Sequence, residues 1–419
     1  MSKLEKFFLK DISNSQTGPF GTQLHKEDYV TEGTPIVTVE HLGEISFNLD
    51  NLPLVSDEDK DRLSKYVLKE GDIVFSRVGS IDRCTYVSKK EDGWLFSGRC
   101  IRVRFNEKAD ARYVSFYFRQ KYFKQMMLNI SVGAIMPSLN TSLMDNLPIF
   151  LPSKTTQQKI ANVLSSLDSK IELNNKINTE LEAMAKTLYD YWFVQFDFPD
   201  KDGKPYKTSG GKMVWNNELK REIPDGWEVG TVLDVAELLG GGTPKKEESL
   251  HWNGTIPFFT PADTENSFFV ISTKESITEF GLKNCSSKLY PKGTIFITAR
   301  GTVGNLNIAS KNMAMNQSCY AIQAKENINF CFLHQCVNDF VKYLKAKANG
   351  SIFDAIVSND FKQTPIVIPS LDVIKKFGLI SESIYEKILS SRLENQTLSN
   401  LRDWLLPMLM NGQVTIHTD

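Results

Sequence analysis

The residues best suited to chemistry in this chain are basic, hydroxyl and amide side chains on turns that occur twice. Arg77, Ser80, Arg83, Lys89 and Arg99 lie on or near Gly71-Asp72-Ile73-Val74-Phe75-Ser76 and Gly79-Ser80-Ile81. Arg300, Thr302, Asn305, Lys311, Asn316 and Gln317 lie on or near the matching Gly293-Thr294-Ile295-Phe296-Ile297-Thr298 and Gly301-Thr302-Val303. Arginine can read guanine bidentately, and Asn or Gln can read adenine. Charge points the same way. Residues 60–104 hold eleven Lys/Arg against six acids, and residues 281–325 hold six Lys/Arg and no acid. That is the footprint expected of phosphate contact, although a net charge of −1 argues against a wholly basic nucleic-acid binder. Two glycine-rich loops, Gly18-Pro19-Phe20-Gly21-Thr22 and Gly240-Gly241-Gly242-Thr243-Pro244-Lys245-Lys246, could present backbone N–H groups to a phosphate. Lys26, Lys245 and Lys246 are further phosphate candidates. Neither loop has the G-K-[ST] ending of a Walker A loop, and a plain tight turn accounts for each equally well.

Other chemistry is poorly supported. Asp200 with Glu218-Leu219-Lys220 fits a loose carboxylate-plus-lysine pattern for Mg²⁺, but the pattern is degenerate and lies in a linker. Cys331, His334 and Cys336 lack paired Cys-x-x-Cys spacing and fall in an expected helix from Phe330 to Leu344, so core packing is the expectation. No Asn-Pro-Pro-aromatic motif and no glycine-rich cofactor loop after a strand is found. The five histidines form no nucleophile grouping. No catalytic or metal-binding residue is assigned. The six cysteines have no framework spacing, which suits reduced, cytoplasmic thiols. Met1-Ser2-Lys3-Leu4-Glu5-Lys6 has no signal-peptide pattern. No apolar run approaches the roughly 18 residues of a membrane span.

The elements that must position the candidate residues are duplicated. Leu151-Pro152-Ser153 and Ile368-Pro369-Ser370 each open a long helix, with Pro369 217 positions after Pro152. At that offset Ile160 maps to Phe377, Leu167 to Ile384, Ile171 to Ile388 and Leu188 to Leu405. Gly133 likewise maps to Gly350 and Pro148 to Pro365. Upstream the offset drifts to 222, as loop insertions produce. The period is too long for a solenoid, so tandem duplication is the natural reading. Period-seven spacing predicts that the two helices pair as a coiled coil. The expected seam is Ile160, Leu164, Leu167, Ile171, Leu181, Ala185, Leu188 and Trp192. Asn174 and Asn178 interrupt it, as Ser391 and Asn395 do in the second helix. Such polar positions fix register, and they meet near the centre if the pairing is antiparallel.

The expected fold is α/β (α+β): two mixed globular domains, each followed by a long helix. The divisions are residues 1–150, helix 151–195, linker 196–229, domain 230–367, helix 368–410 and tail 411–419. One helix is predicted from about Ala111 to Met127, with Val114, Phe116, Tyr117, Tyr122 and Phe123 on its apolar face.

The join Phe198-Pro199-Asp200 … Gly203-Lys204-Pro205-Tyr206 … Gly210-Gly211-Lys212-Met213-Val214 … Ile223-Pro224-Asp225-Gly226-Trp227, with the duplication, resembles the specificity subunit of type I restriction-modification systems. The resemblance covers essentially the whole chain. It implies two target-recognition domains, each reading one half of a bipartite site in double-stranded DNA. It implies an antiparallel coiled coil that separates them and docks two methyltransferase subunits, with restriction subunits completing the nuclease. S-adenosylmethionine, ATP and Mg would then belong to the partners. Pro224-Asp225-Gly226-Trp227 has no counterpart before the first domain, where Leu4 sits at the Trp position. A rod of about 55 Å, at 1.5 Å per residue, could hold two readers more than one DNA turn of about 34 Å apart. The competing readings are a coiled-coil adaptor without DNA contact and a stand-alone nuclease.

Overall fold

The computed structural model describes residues 4–19, 21, 23–131, 137–347 and 355–416. Phe20, Thr22, Gly133 and Gly350 lie outside the described residues. The chain divides into two compact units: residues 1–171 with 397–419, and residues 172–396.

In the first unit the central sheet has the order Ser13–Thr17, Cys100–Phe105, Ile73–Ser76, Cys84–Tyr86, all antiparallel. Ile73–Ser76 is buried at all four residues because both faces of the sheet are covered. Side chains alternate across a strand. Ile73 and Phe75 therefore join the helical core with Ile101 and Val103, while Val74 and Cys100 join the core under a second sheet. That second sheet has the order Tyr29–Val30, Leu54–Val55, Thr34–Val37, Leu95–Phe96.

The second unit repeats this arrangement. Its central sheet runs Ala236–Gly240, Cys319–Ala324, Ile295–Thr298, Leu306–Ala309, Phe269–Val270. Ile295 and Ile297 face the helical core, and Phe296 faces the other side. Each unit also has a lead-in strand paired antiparallel to the strand before its long helix: Glu5–Phe8 with Pro148–Leu151, and Glu228–Gly230 with Ile366–Ile368. The lead-in thus forms in both units. Trp227 is buried beside Phe193, Phe196 and Phe198, whereas Leu4 is exposed. The stretch 196–229 is folded into the second unit. Phe198 stacks between Tyr206 and Trp227, and Met213–Asn216 pairs with Arg221–Pro224.

The single helix expected at 111–127 is two helices, Ala111–Arg119 and Lys121–Ile130. Gln120 is extended, with ψ 139, and breaks the run. The break turns Phe123 and Met127 into the core, with the Phe123 ring 4.4 Å from that of Phe118. Tyr122, expected on the apolar face, is 69% exposed.

The long helices are Lys154–Tyr189, continued by a π-helical turn at Asp190–Val194, and Leu371–Met410. Ser153 caps the first through its hydroxyl to the Thr156 amide, 3.4 Å. In the first unit Ile160, Ala161 and Leu164 pack with Leu406, Leu409 and Met410. In the second unit the Trp192 ring lies 5.8 Å from Phe377, and Asn174 meets Asn395. Within each unit partner numbers fall as residue numbers rise, so the helices run antiparallel. Three seam positions depart from the heptad frame: Leu167, Leu181 and Leu188 are half-buried, and Asp168 and Tyr189 take the buried places beside the first and last of them. At Asp168 the buried group is a charge. Arg119 and Arg402 bind its carboxylate.

The polar layer is not uniform. Asn174 Nδ2 donates to Asn395 Oδ1 at 2.9 Å and to Glu394 Oε2 at 2.7 Å, and Asn395 Nδ2 donates to Asn175 Oδ1 at 2.8 Å. Asn178 and Ser391 are buried, and among the described residues their side-chain polar atoms have no hydrogen-bond partner. Burying an unpaired polar group costs about 1–3 kcal/mol. The Asn178→Leu and Asn174→Leu variants should therefore move stability in opposite directions, each by about 1 kcal/mol or more. Urea melts would show a raised midpoint for Asn178→Leu and a lowered one for Asn174→Leu. Equal losses in both would contradict the assignment.

Candidate nucleic-acid interface

In the first unit, one end of the central sheet gathers three segments. Ser76 ends its strand, and the turn that follows returns at Arg83, whose carbonyl accepts the Ser76 amide at 3.0 Å. The Arg77 amide donates to the Arg99 carbonyl at 2.8 Å, and Arg77 Nη1 donates to the Gly98 carbonyl at 3.2 Å. The Gly18 amide donates to the Cys100 carbonyl at 3.1 Å, so the glycine loop starts at the same end. Arg77, Ser80, Arg83 and Arg99 are thus brought together, with all but Arg77 exposed.

The second unit builds the same end from matching residues. The Ala299 amide donates to the Ser318 carbonyl at 2.8 Å, in the place of the Arg77–Arg99 bond. Arg300, Thr302 and Asn305 occupy the turn, and Asn316 and Gln317 precede the strand Cys319–Ala324. Thr243 Oγ1 donates to Gln317 Oε1, which ties the glycine loop to this group.

Lys89 and Lys311 do not belong to these groups. Lys89 follows the strand Cys84–Tyr86, which pairs Tyr86 with Ile73 at the opposite sheet end. Lys311 follows Leu306–Ala309, where Ile308 pairs with Ile295. The basic windows are split in the same way. Arg104 binds the buried Asp72 through two nitrogens at 2.7 Å, Arg102 is buried, and Lys325 donates to the Leu233 carbonyl at 2.6 Å. All three lie at or toward the end away from the turns, so the charge at the turns is narrower than composition indicates.

The glycine loops have a packing reason for their glycines. A Cβ on Gly18 would overlap the Ser97 carbonyl, and one on Gly241 would overlap the Asn316 carbonyl. These are matching contacts in the two units, and they seat each loop against the segment beside the turn. Lys245 is exposed and pairs with Glu248 at 3.5 Å, and Lys246 and Lys26 are exposed. A residue that spacing could not reveal is Lys345. It comes from the helix Phe330–Lys347 and lies across Gly304, where a Cβ would meet its Cε at 3.0 Å. It adds a cation to the second turn from 41 residues after Gly304.

The other constellations resolve into packing. Cys331, His334 and Cys336 are buried in Phe330–Lys347, and His334 Nδ1 bonds the Tyr385 hydroxyl at 2.8 Å. Burial pushes the Cys336 thiol up to about 12 and the His334 imidazole down to about 3. Asp200 accepts the amides of Asp202 and Lys204 at 2.8 Å as a turn carboxylate. Among the described residues no group of three or more His, Cys, Asp or Glu is placed to hold a metal ion. Among the same residues no helix is long and apolar enough to cross a membrane.

A clustered set of Arg, Asn, Gln and hydroxyl groups at the end of a rigid sheet can hydrogen-bond base edges and phosphates together. A family model described as the type I restriction modification DNA specificity domain matches residues 1–183 and again 224–396. The HindI specificity subunit of Haemophilus influenzae is 26% identical over 99% of this chain and 100% of its own length. The MjaIX specificity subunit of Methanocaldococcus jannaschii is 28% identical over 73% of this chain and 69% of its own. The crystal structure of a type I restriction-modification S subunit from M. genitalium shares the fold. It has a TM-score of 0.64 at 15% identity, over 100% of this chain and 97% of that one. Two matches of one domain model, on the two halves of a duplicated chain, place this protein in the type I restriction-modification DNA specificity family.

Proposed function

We propose that the chain is a non-catalytic specificity subunit that reads a bipartite site in double-stranded DNA. The carrying observation is that each unit gathers its polar turn, its pre-strand segment and its glycine loop at one sheet end, with matching backbone bonds. The first unit offers Arg77, Ser80, Arg83 and Arg99. The second offers Arg300, Thr302, Asn305, Asn316 and Gln317, with Lys245 and Lys246 beside them for phosphates. Each unit reads one half-site. The long helices set the unread spacer, the layer of Asn174, Asn178, Ser391 and Asn395 fixes their register, and two methyltransferase subunits dock on them. Restriction subunits complete the nuclease, and S-adenosylmethionine, ATP and Mg are bound by those partners. The complex works in the cytoplasm, where its DNA is.

The test is a methylation map. The chain is co-expressed with its methyltransferase partner, and host DNA is sequenced for modified adenine. The expected result is a split motif with two short specific halves and a fixed gap. Exchanging residues 1–150 for those of a relative should change one half only. A soluble, partner-bound chain that directs no modification would overturn the reading.

A further inference from the structure

The junction between recognition domain and paired helices is built differently in the two units. In the first unit Asp168, on the helix Lys154–Tyr189, accepts from Arg119 Nη1 at 2.5 Å through Oδ2. It accepts from Arg402 Nη1 at 2.9 Å through Oδ1. Arg119 ends the recognition-domain helix Ala111–Arg119, and Arg402 lies on the second long helix. One carboxylate therefore ties the domain to both long helices. The three side chains are only 9–10% exposed. Arg402 also bonds Asp403 at 2.8 Å, and the Arg119 guanidinium lies 4.7 Å over the Phe116 ring.

The repeat offset of 217 carries Arg119 to Cys336, Asp168 to Tyr385 and, in reverse, Arg402 to Ala185. All three counterparts are buried in the second unit and none is charged at neutral pH. There the junction is made by the Tyr385 hydroxyl with His334 and Gln335, at 2.8 and 3.0 Å.

Apolar contact is non-directional, so a helix seated on apolar groups alone can settle in several ways at similar energy. A carboxylate between two guanidiniums is directional, and a shift that parts them leaves a buried charge unpaired. The junction also reaches the reading turn. A cavity of about 310 Å³ is lined by Arg119 and by Asp82, Arg83 and Cys84 of the turn. Arg119 and the turn that carries Arg83 thus border one space.

We propose that Asp168, held between Arg119 and Arg402, is a positioning residue that seats the first recognition domain in the one orientation in which it reads its half-site. This rests on the bipartite reading proposed above. The wild-type map tests that reading separately, and residues 1–150 define which half is first.

The experiment compares methylation maps and melting temperatures of the chain with its methyltransferase partner for wild type, Asp168→Asn and the apolar triple Arg119→Met/Asp168→Leu/Arg402→Met. Replacing a buried ion cluster by apolar groups of similar volume commonly preserves stability. The expected triple variant melts within a few degrees of wild type, yet its discrimination at the first half-site falls about tenfold or more while the second half stays intact. Asp168→Asn should relax the same half. A triple variant with the wild-type map would overturn the proposal. So would equal relaxation of both halves, or a triple variant that fails to fold, since the charges would then serve folding and not seating. A wild-type map without two halves would instead remove the underlying reading.

Discussion

Replacing Arg77, Arg83 and Arg99 together by alanine is expected to lower the affinity of the assembled complex for its target by on the order of a thousandfold. A bidentate arginine–guanine contact discriminates by about 1–3 kcal/mol, and the three residues lie at one sheet end, where two neighbouring backbone bonds hold their segments together. If the losses are near 1.4 kcal/mol each, every one is about tenfold. Binding to a scrambled duplex should fall less, because base contacts do not act there. Any of the three that touches phosphate should lower the salt slope by about one. Lys89→Ala and Lys311→Ala are the matched controls. Both remove a cation from the basic windows, but from the opposite end of the sheet, so affinity for the target should stay within about twofold, as expected for a charge screened beyond the Debye length. Anisotropy titrations over a salt series, with melting curves for Arg77→Ala because it also bonds Gly98, measure all of this. A Lys89→Ala loss as large as that of the triple variant would place the interface at the wrong end.

The duplication, and with it the fold, is legible because burial enforces it. Ile160, Phe377 and their repeats are apolar at matching offsets since each must face a partner helix. The interface is legible only in part. Spacing along the chain brought Lys89 and Arg83 together, but an antiparallel strand lies between them and carries them to opposite ends. Charge counted by window also misleads, because Arg104 is consumed by Asp72 inside the same fold. The reverse error hides Lys345, whose contribution depends on a helix folding back over Gly304.

Asp168 shows the limit most sharply. A charged residue in a heptad pattern reads as solvent-facing, and only two arginines from distant positions make its burial possible. The Gln120 break has the same character. Nothing in Arg119-Gln120-Lys121 forbids helix. The aromatic packing of Phe118 against Phe123 makes the bent form the better buried one, and tertiary packing overrides local propensity.

The second unit should lose stability as pH falls below about 6.5, and His334 is the cause. Its ring is buried against Phe268 at 4.6 Å and bonded to Tyr385 at 2.8 Å. Gln335 Nε2 also donates to the Tyr385 hydroxyl, at 3.0 Å, and that hydroxyl lies 3.5 Å from the Cys331 carbonyl. Burial holds the folded-state pKa down to about 3, against an ordinary value of 6.5. Between those values the unfolded chain binds a proton that the folded chain refuses, so stability rises with pH across this window and is complete above about 6.5. Each pH unit within it removes about 1.4 kcal/mol from the folded state. His334→Gln keeps a polar group but has no titration. At pH 8 it should be the less stable protein, and its deficit should shrink by about 1.4 kcal/mol per unit as pH drops from 6.5 toward 4.5. Carboxylate protonation affects both proteins and cancels in the difference. Parallel stability curves for the two from pH 8 to 4.5 would sink the assignment. Because the counterpart junction in the first unit has no histidine but a carboxylate and two guanidiniums, reading of the second half-site should weaken first as pH falls from 6.5 to 5.5. A methylation assay with split-site substrates at the two pH values would register that order of loss.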